Sequence, residues 1–272
     1  MDIGHLALLG IIGLFVGVFG TLIGAAGGFI LVPILLFLYP GESPPVITSI
    51  TLTVAFFNAV SGSLSYARLR RIDYRSGISF SLAGMPAAIV GARLTGLLDR
   101  GLFQVIFGIL LLVVSGYLLL RPVLRRQTSA GLAGHTTRQL VDSNGKAHSY
   151  SFNLPLGVTI SGIVGMIGGL LGLGGGIMHV PALTQLLGFP IHIATATSHF
   201  VVAITTLAAV ITHIISGTFA EGASRALVLA AGAVIGAPFG ARLSQKVPGS
   251  IIIRLLAVGL AIVALRLFVA PL

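Results

Sequence analysis

The sequence predicts an all-α polytopic membrane protein of two homologous halves, each a glycine-broken helical hairpin followed by three spanning helices. Three observations carry this expectation. Only 8% of the 272 residues are charged while 56% are hydrophobic, with a mean hydropathy of +1.07. A soluble domain carries about 25% charged residues. Uncharged runs at 46–67, 101–120 and 188–220 each reach the roughly 20 residues that a membrane-crossing helix needs. Third, the sequence repeats itself.

"GVFGTLIGAAGGFILVPIL" begins at Gly17 and "GMIGGLLGLGGGIMHVPAL" at Gly165, with nine of nineteen positions identical and no gap. Thr48-Ser49 then corresponds to Thr197-Ser198, and Gly91-Ala92-Arg93-Leu94 to Gly240-Ala241-Arg242-Leu243. The halves are residues 1–125 and 151–272, joined by a connector at 126–150.

The first element of each half is broken. The apolar stretch 6–38 has 33 residues, or about 50 Å as one helix, too long for a hydrocarbon core of about 30 Å and short of two full crossings. A long helix and a half-helix separated at the glycines fit it. Irregular backbone at membrane depth persists only against protein or a polar cavity, and Gly/Pro-interrupted segments at matching places in two halves point to a transporter's binding site. Close helix packing is the alternative, because Gly20-xxx-Gly24 and Gly168-xxx-Gly172 fit a small-residue contact. The run Gly174-Gly175-Gly176 exceeds what packing alone needs. No Lys-Ser/Thr follows the glycines and no strand precedes them, which excludes a P-loop and a dinucleotide fold.

At these residues the chain resembles the TauE/SafE sulfite exporter family (TSUP). The resemblance rests on the glycine pattern ending in proline, Gly24 to Pro33 with Ala26 in place of one glycine, and Gly172 to Pro181 in full. The Thr-Ser pairs, "YARLRRIDYR" after the second span and the repeated "GARL" add to it, over nearly the whole chain. It implies transport of small sulfur-containing anions such as sulfite, sulfonates or thiosulfate across a bacterial-type inner membrane.

The elements follow in order. Helical spans are expected at 5–24, 27–38, 46–67, 76–97, 101–121, 154–173, 176–187, 192–216, 224–243 and 250–270. Residues 121–152 form the sizeable polar loop, with Arg121, Arg125, Arg126, Arg138 and Lys146, and Asn144-Gly145 marks a β-hairpin in it. The net charge of +10 belongs to residues flanking spans, where it holds loops in the cytoplasm, and gives no case for nucleic acid. Arg68, Arg70, Arg71 and Arg75 share one loop. Hairpins that return to their own side put this loop, the connector, Arg242, Lys246 and Arg254 all inside, with inverted halves. Singly crossing segments would give parallel halves and leave the last three outside. The charges favour inversion. Asp2 and the lack of an early Lys or Arg do not suit a signal peptide.

Asp2, Glu42, Asp73, Asp99, Asp142 and Glu221 all fall at span ends or in loops, so neither a carboxylate proton relay nor a cation site is expected at depth. An anion needs helix N-termini, backbone N–H groups and neutral donors. The expected substrate residues are Gly24, Gly27, Gly28, Thr48, Ser49, Asn58, Gly172, Gly174, Gly175, Gly176, Thr197, Ser198 and His199, with Thr48, Ser49, Thr197 and Ser198 completing one shell around one anion. His179 and His213 are packed residues or proton carriers, and Arg93 and Arg242 snorkel to the interface or draw anions in. Adjacent Ser198 and His199 point about 100° apart on a helix, and no Gly-x-Ser-x-Gly elbow occurs, against an intramembrane enzyme. A passive anion channel is the other alternative. No catalytic residue, metal or cofactor is expected, and the sequence names no oligomeric state.

Overall fold

The computed structural model describes residues 3–120 and 135–269. Arg121, Arg125 and Arg126 lie outside the described residues. The elements are α1 (Ile3–Ile23), α2 (Gly28–Leu38), α3 (Pro44–Arg68), α4 (Tyr74–Leu94), α5 (Arg100–Leu120), β1 (Thr136–Val141), β2 (Ala147–Phe152), α6 (Leu154–Leu170), α7 (Gly176–Pro181), α8 (Ile191–Ile215), α9 (Thr218–Lys246) and α10 (Gly249–Val269). Among the described residues, α1, α3, α4, α5, α8 and α9 are long and apolar enough to cross a membrane. The protein is an all-α polytopic membrane protein, as the sequence predicts.

Both glycine breaks are present. Gly24, Ala26 and Gly27 take φ of 88°, 52° and 82°, and their repeat equivalents Gly172, Gly174 and Gly175 take 72°, 66° and 85°. This left-handed backbone turns the chain sharply and restarts a helix. Ala26 adopts it despite its Cβ, at a strain of about 1–2 kcal/mol. Each half-helix runs back beside its partner. Tyr39, just past α2, shares a 2.7 Å hydrogen bond with His5 near the start of α1. Leu187 lies beside Gly157 in the first turn of α6.

The expected boundaries shift in two places. Helix α9 begins at Thr218 rather than 224 and runs to Lys246. Its first two turns are too polar to show in a hydropathy pattern, but Arg225 Nη2 donates to the Glu221 carbonyl one turn back. The expected helix 176–187 divides at Pro181, beyond which residues 182–186 form a π-helical turn. Proline lacks the N–H that would continue the α pattern.

The halves interlock. Helix α1 lies parallel to α9, so close that a Cβ on Gly17 would strike the backbone of Ala233 and one on Gly236 that of Leu14. Helix α6 lies parallel to α4 in the same way, with Gly165 against Gly84 and Gly169 against Ala88. These small-residue stripes let backbones approach without a hydrophobic driving force. Helices α3 and α8 run antiparallel: Thr48 near the start of α3 meets His213 near the end of α8, and Asp73, just after α3, meets Thr197 near the start of α8. Helices α5 and α10 meet through Ser115 Oγ, which donates to the Ala257 carbonyl at 2.9 Å. The largest apolar core joins both halves, with Phe29, Leu31, Phe103 and Phe107 beside Leu171, Leu173, Ile177 and Leu229.

The two strands form an antiparallel hairpin pairing Thr136 with Phe152 and Val141 with Ala147. Gly145 takes φ 78° in its turn, as the Asn-Gly signal predicts. The hairpin covers the bundle end where α3 finishes and α4, α6 and α8 begin, and packs Tyr150 and Phe152 on Phe80 and Phe189. Arg68, Arg70, Arg71, Arg75, Arg138, Lys146, Arg242, Lys246 and Arg254 stand at that end, while Arg93, Arg100 and Arg225 stand at the other.

Candidate functional site

The two breaks lie face to face inside the bundle. A Cβ on Gly28, the first residue of α2, would sit 2.7 Å from the Gly172 carbonyl oxygen. One on Gly176, the first residue of α7, would sit 2.6 Å from the Gly24 carbonyl oxygen. Neither half-helix has a side-chain cap on its N-terminus. The first amides of a helix have no partner within it, and both N-termini are buried in the bundle.

The glycines divide by task. Gly27 and Gly175 are the left-handed N-caps, and a side chain on either would run into its own first helix, at Val16 and Val164 respectively. Gly24 and Gly172 let each break lie on the opposite half: Gly24 against Thr195 of α8, Gly172 against Thr48 and Thr51 of α3. Gly174 faces Thr206, Val202 and Ala55. Gly28 and Gly176 face the opposing break. Filling position 175 therefore disturbs the hairpin fold, and filling 28 or 176 disturbs the space between the breaks.

Polar side chains gather at the first break. Thr21 Oγ1 donates to Asn58 Oδ1 at 2.8 Å, and Tyr66 Oη donates to the Thr21 carbonyl at 2.8 Å. Asn58 Nδ2 is buried with no hydrogen-bond partner. Ser198 Oγ donates to the Gly24 carbonyl at 3.2 Å. His199 is fully buried, edge-on to Tyr66 and over Gly62, whose lack of a Cβ leaves room for the imidazole. Neither ring nitrogen makes a well-formed hydrogen bond, and the Gly24 and Thr195 carbonyls are its polar neighbours. At the second break, Thr48 Oγ1 lies 3.5 Å from His213 Nε2, and His213 Nδ1 lies 3.0 Å from Thr218 Oγ1.

Gly24, Gly27, Gly28, Asn58, Gly172, Gly174, Gly175, Gly176, Ser198 and His199 thus surround the paired breaks. The single shell built from both Thr-Ser pairs is corrected. Thr48 is level with His213, sixteen residues beyond Thr197 on α8, so about 24 Å separates the two threonines. Antiparallel α3 and α8 place equivalent residues at opposite ends. Their hydroxyls are engaged as well: Thr48 donates to Pro44 and Pro45 carbonyls, Ser49 to the Val46 carbonyl, and Thr197 accepts from the Asp73 N–H. Thr21, Tyr66 and Gly62 were not among the expected residues. Thr21, the one hydroxyl-bearing residue of α1, was the available signal.

Among the described residues, the buried charged side chains Arg71, Asp73 and Asp142 sit at the hairpin end. Asp73 caps α4 through the Ser76 N–H and also accepts from Tyr150 Oη at 2.8 Å. Burial, reinforced by the Asp73 charge, raises the Tyr150 pKa and keeps its phenol a donor. Burial works to raise the Asp142 pKa, but the Lys146 and Asn144 amides, His148 and Arg71 outweigh it and hold the carboxyl below its ordinary value.

The sequence model described as "Sulfite exporter TauE/SafE" matches residues 9–267. The chain belongs to the sulfite exporter TauE/SafE family. It is 32% identical over 266 residues to "Probable membrane transporter protein YunE" of Bacillus subtilis (strain 168), covering 96% of each chain. It is 24% identical to "Probable membrane transporter protein MJ0441" of Methanocaldococcus jannaschii, covering 89% of this chain and 87% of that one. A Sinorhizobium protein, "Probable membrane transporter protein ORF9", is 24% identical and covered to 94%. No solved structure matches the chain. TauE/SafE membership places it among multi-pass membrane transporters.

Proposed function

We propose that this TauE/SafE protein is a secondary transporter, working as an exporter, of small sulfur-containing anions such as sulfite or sulfonates. The anion is held between the breaks by the N-termini of α2 and α7, with Asn58, Ser198 and His199 around it. The observation that carries the reading is the pair of uncapped half-helix N-termini facing one another beside the unpartnered Asn58 Nδ2. Each N-terminus is equivalent to about half a positive charge, so two offset a monoanion without a buried Arg or Lys. The halves are inverted, with the β-hairpin end cytoplasmic. The returning half-helices and antiparallel α3 and α8 support inversion, and the basic residues at the hairpin end support the orientation.

The test is direct binding of sulfite, a sulfonate and thiosulfate to purified protein, with Asn58→Leu as the variant. Loss of a hydrogen bond to a charged ligand removes about 1.5–3 kcal/mol, a roughly 10- to 100-fold weaker Kd. Unchanged affinity in a folded Asn58→Leu protein would place the anion away from the first break.

A further inference from the structure

A second feature lies outside the paired breaks. Between β1 and the first turn of α4 is a cavity of about 210 Å³ lined by Asp73, Arg75, Thr137, Arg138, Gln139 and Tyr150, with Leu140 at its edge. Its volume is about seven times a water molecule's share of liquid, which suits one small oxyanion with a few waters and is too small for a nucleotide.

The charges in it are unequally committed. The Asp73 carboxylate is engaged already, by the Ser76 N–H at 3.1 Å, Ser76 Oγ at 2.5 Å and Tyr150 Oη at 2.8 Å. Arg138 approaches it only through Nε, at 3.8 Å, and that nitrogen also donates to Ser76 Oγ at 3.4 Å. The Arg138 Nη groups make no hydrogen bond among the described residues, and Arg75 makes no ion pair among them. Two guanidinium forks with free N–H groups form a donor set suited to a planar or tetrahedral oxyanion.

We infer that this cavity is a binding site for small oxyanions at the hairpin end of the bundle, held by Arg75 and Arg138. Arg138 is shared: an anion in the cavity competes with Asp73 for it. The Asp73 N–H in turn donates to Thr197 of α8, so the cavity borders the helix that carries Ser198 and His199. The site then gathers substrate-like anions at the mouth. Its role in loading the transporter rests on the anion reading above, whereas its binding of oxyanions does not.

The chain has no native cysteine, so Gln139→Cys supplies a single thiol on an exposed residue of the cavity wall. Purified full-length Q139C is labelled with an anionic and a cationic methanethiosulfonate reagent, with sulfate as competitor and chloride at matched ionic strength as control. The anionic reagent is expected to react faster, and saturating sulfate to slow it at least fivefold where chloride does not. Arg75→Gln and Arg138→Gln together remove the protection and lower the anionic reagent's rate about tenfold, from about threefold per charge at roughly 6 Å in water, while raising the cationic reagent's rate. Arg75→Gln alone touches an exposed side chain, and is expected to lower the anionic reagent's rate about threefold, and so the anionic-to-cationic ratio, even if the double variant does not fold. Sulfate acting no better than chloride, or a ratio unmoved by Arg75→Gln, overturns the inference. Because labelling of Q139C needs no transport, sulfate protection beside an inert Asn58→Leu would refute the site between the breaks and leave this one standing.

Discussion

Replacing Gly176 by alanine adds one methyl group where the two breaks touch. The built Cβ lies 2.6 Å from the Gly24 carbonyl oxygen and 2.6 Å from Ala25 Cα, against an ordinary contact of 3.4 Å or more. The residue is not in the left-handed region, so backbone strain does not contribute. The breaks must therefore part by about 0.8 Å, and overpacking of this kind costs about 1–3 kcal/mol. Gly28→Ala, 2.7 Å from the Gly172 carbonyl, is expected to cost the same, and the double variant less than the sum because both relieve one contact. Gly116→Ala in α5, with nothing within 4 Å, is the control and is neutral or stabilising by up to about 1 kcal/mol. Reversible unfolding in detergent micelles measures all four, and anion binding to the folded variants shows whether the same space holds the ligand. Gly176→Ala as stable as Gly116→Ala would refute the facing-break arrangement.

Thr197→Val leaves the buried Asp73 N–H without its acceptor, so it is expected to lower stability by about 1–3 kcal/mol, with little direct effect on anion affinity. The same unfolding assay, compared with the binding titration, separates the two. The Asp142 carboxyl is held below its ordinary value, so its stabilisation of the hairpin is complete above the unfolded carboxylate pKa of about 3.9 and is lost as pH falls through the lower folded value. Protease cleavage within 136–152 is expected to accelerate in that acid window, and Asp142→Asn to remove the pH dependence while raising cleavage at neutral pH. Gly41 and Gly188 occupy matching turns after the two half-helices, and a Cβ on either meets nothing. Single cysteines there are expected to label from opposite membrane faces, Gly188→Cys from the cytoplasm; labelling from one face would establish parallel halves.

Much of the architecture is legible in the sequence because its signals are local. Gly24 and Gly172 fall at equivalent places in a repeat, Pro33 and Pro181 follow at the same distance, and Asn144-Gly145 names its own turn. The pairing of helices is not local. Nothing in the order of residues says that α1 lies on α9 or α6 on α4, although the small residues of 84–92 and 232–240 are the means. The most consequential misreading came from symmetry. Thr48-Ser49 and Thr197-Ser198 are equivalent in sequence, and equivalence suggested one shell, yet antiparallel α3 and α8 carry equivalent residues to opposite ends. The polar group at the first break has no such echo. Asn58 corresponds to Leu207 and His199 to Ile50, so the cluster of Thr21, Asn58, Tyr66 and His199 is assembled by the fold from both halves.

Counterflow in proteoliposomes tests the central claim most directly. Vesicles containing the purified protein are loaded with sulfite, diluted into a trace of labelled sulfite, and compared with unloaded vesicles. A carrier that binds the anion between its breaks accumulates label transiently in the loaded vesicles, and Asn58→Leu weakens that exchange along with binding. Uptake indifferent to internal sulfite would contradict a carrier, and label no greater than in protein-free vesicles would contradict sulfite as its substrate.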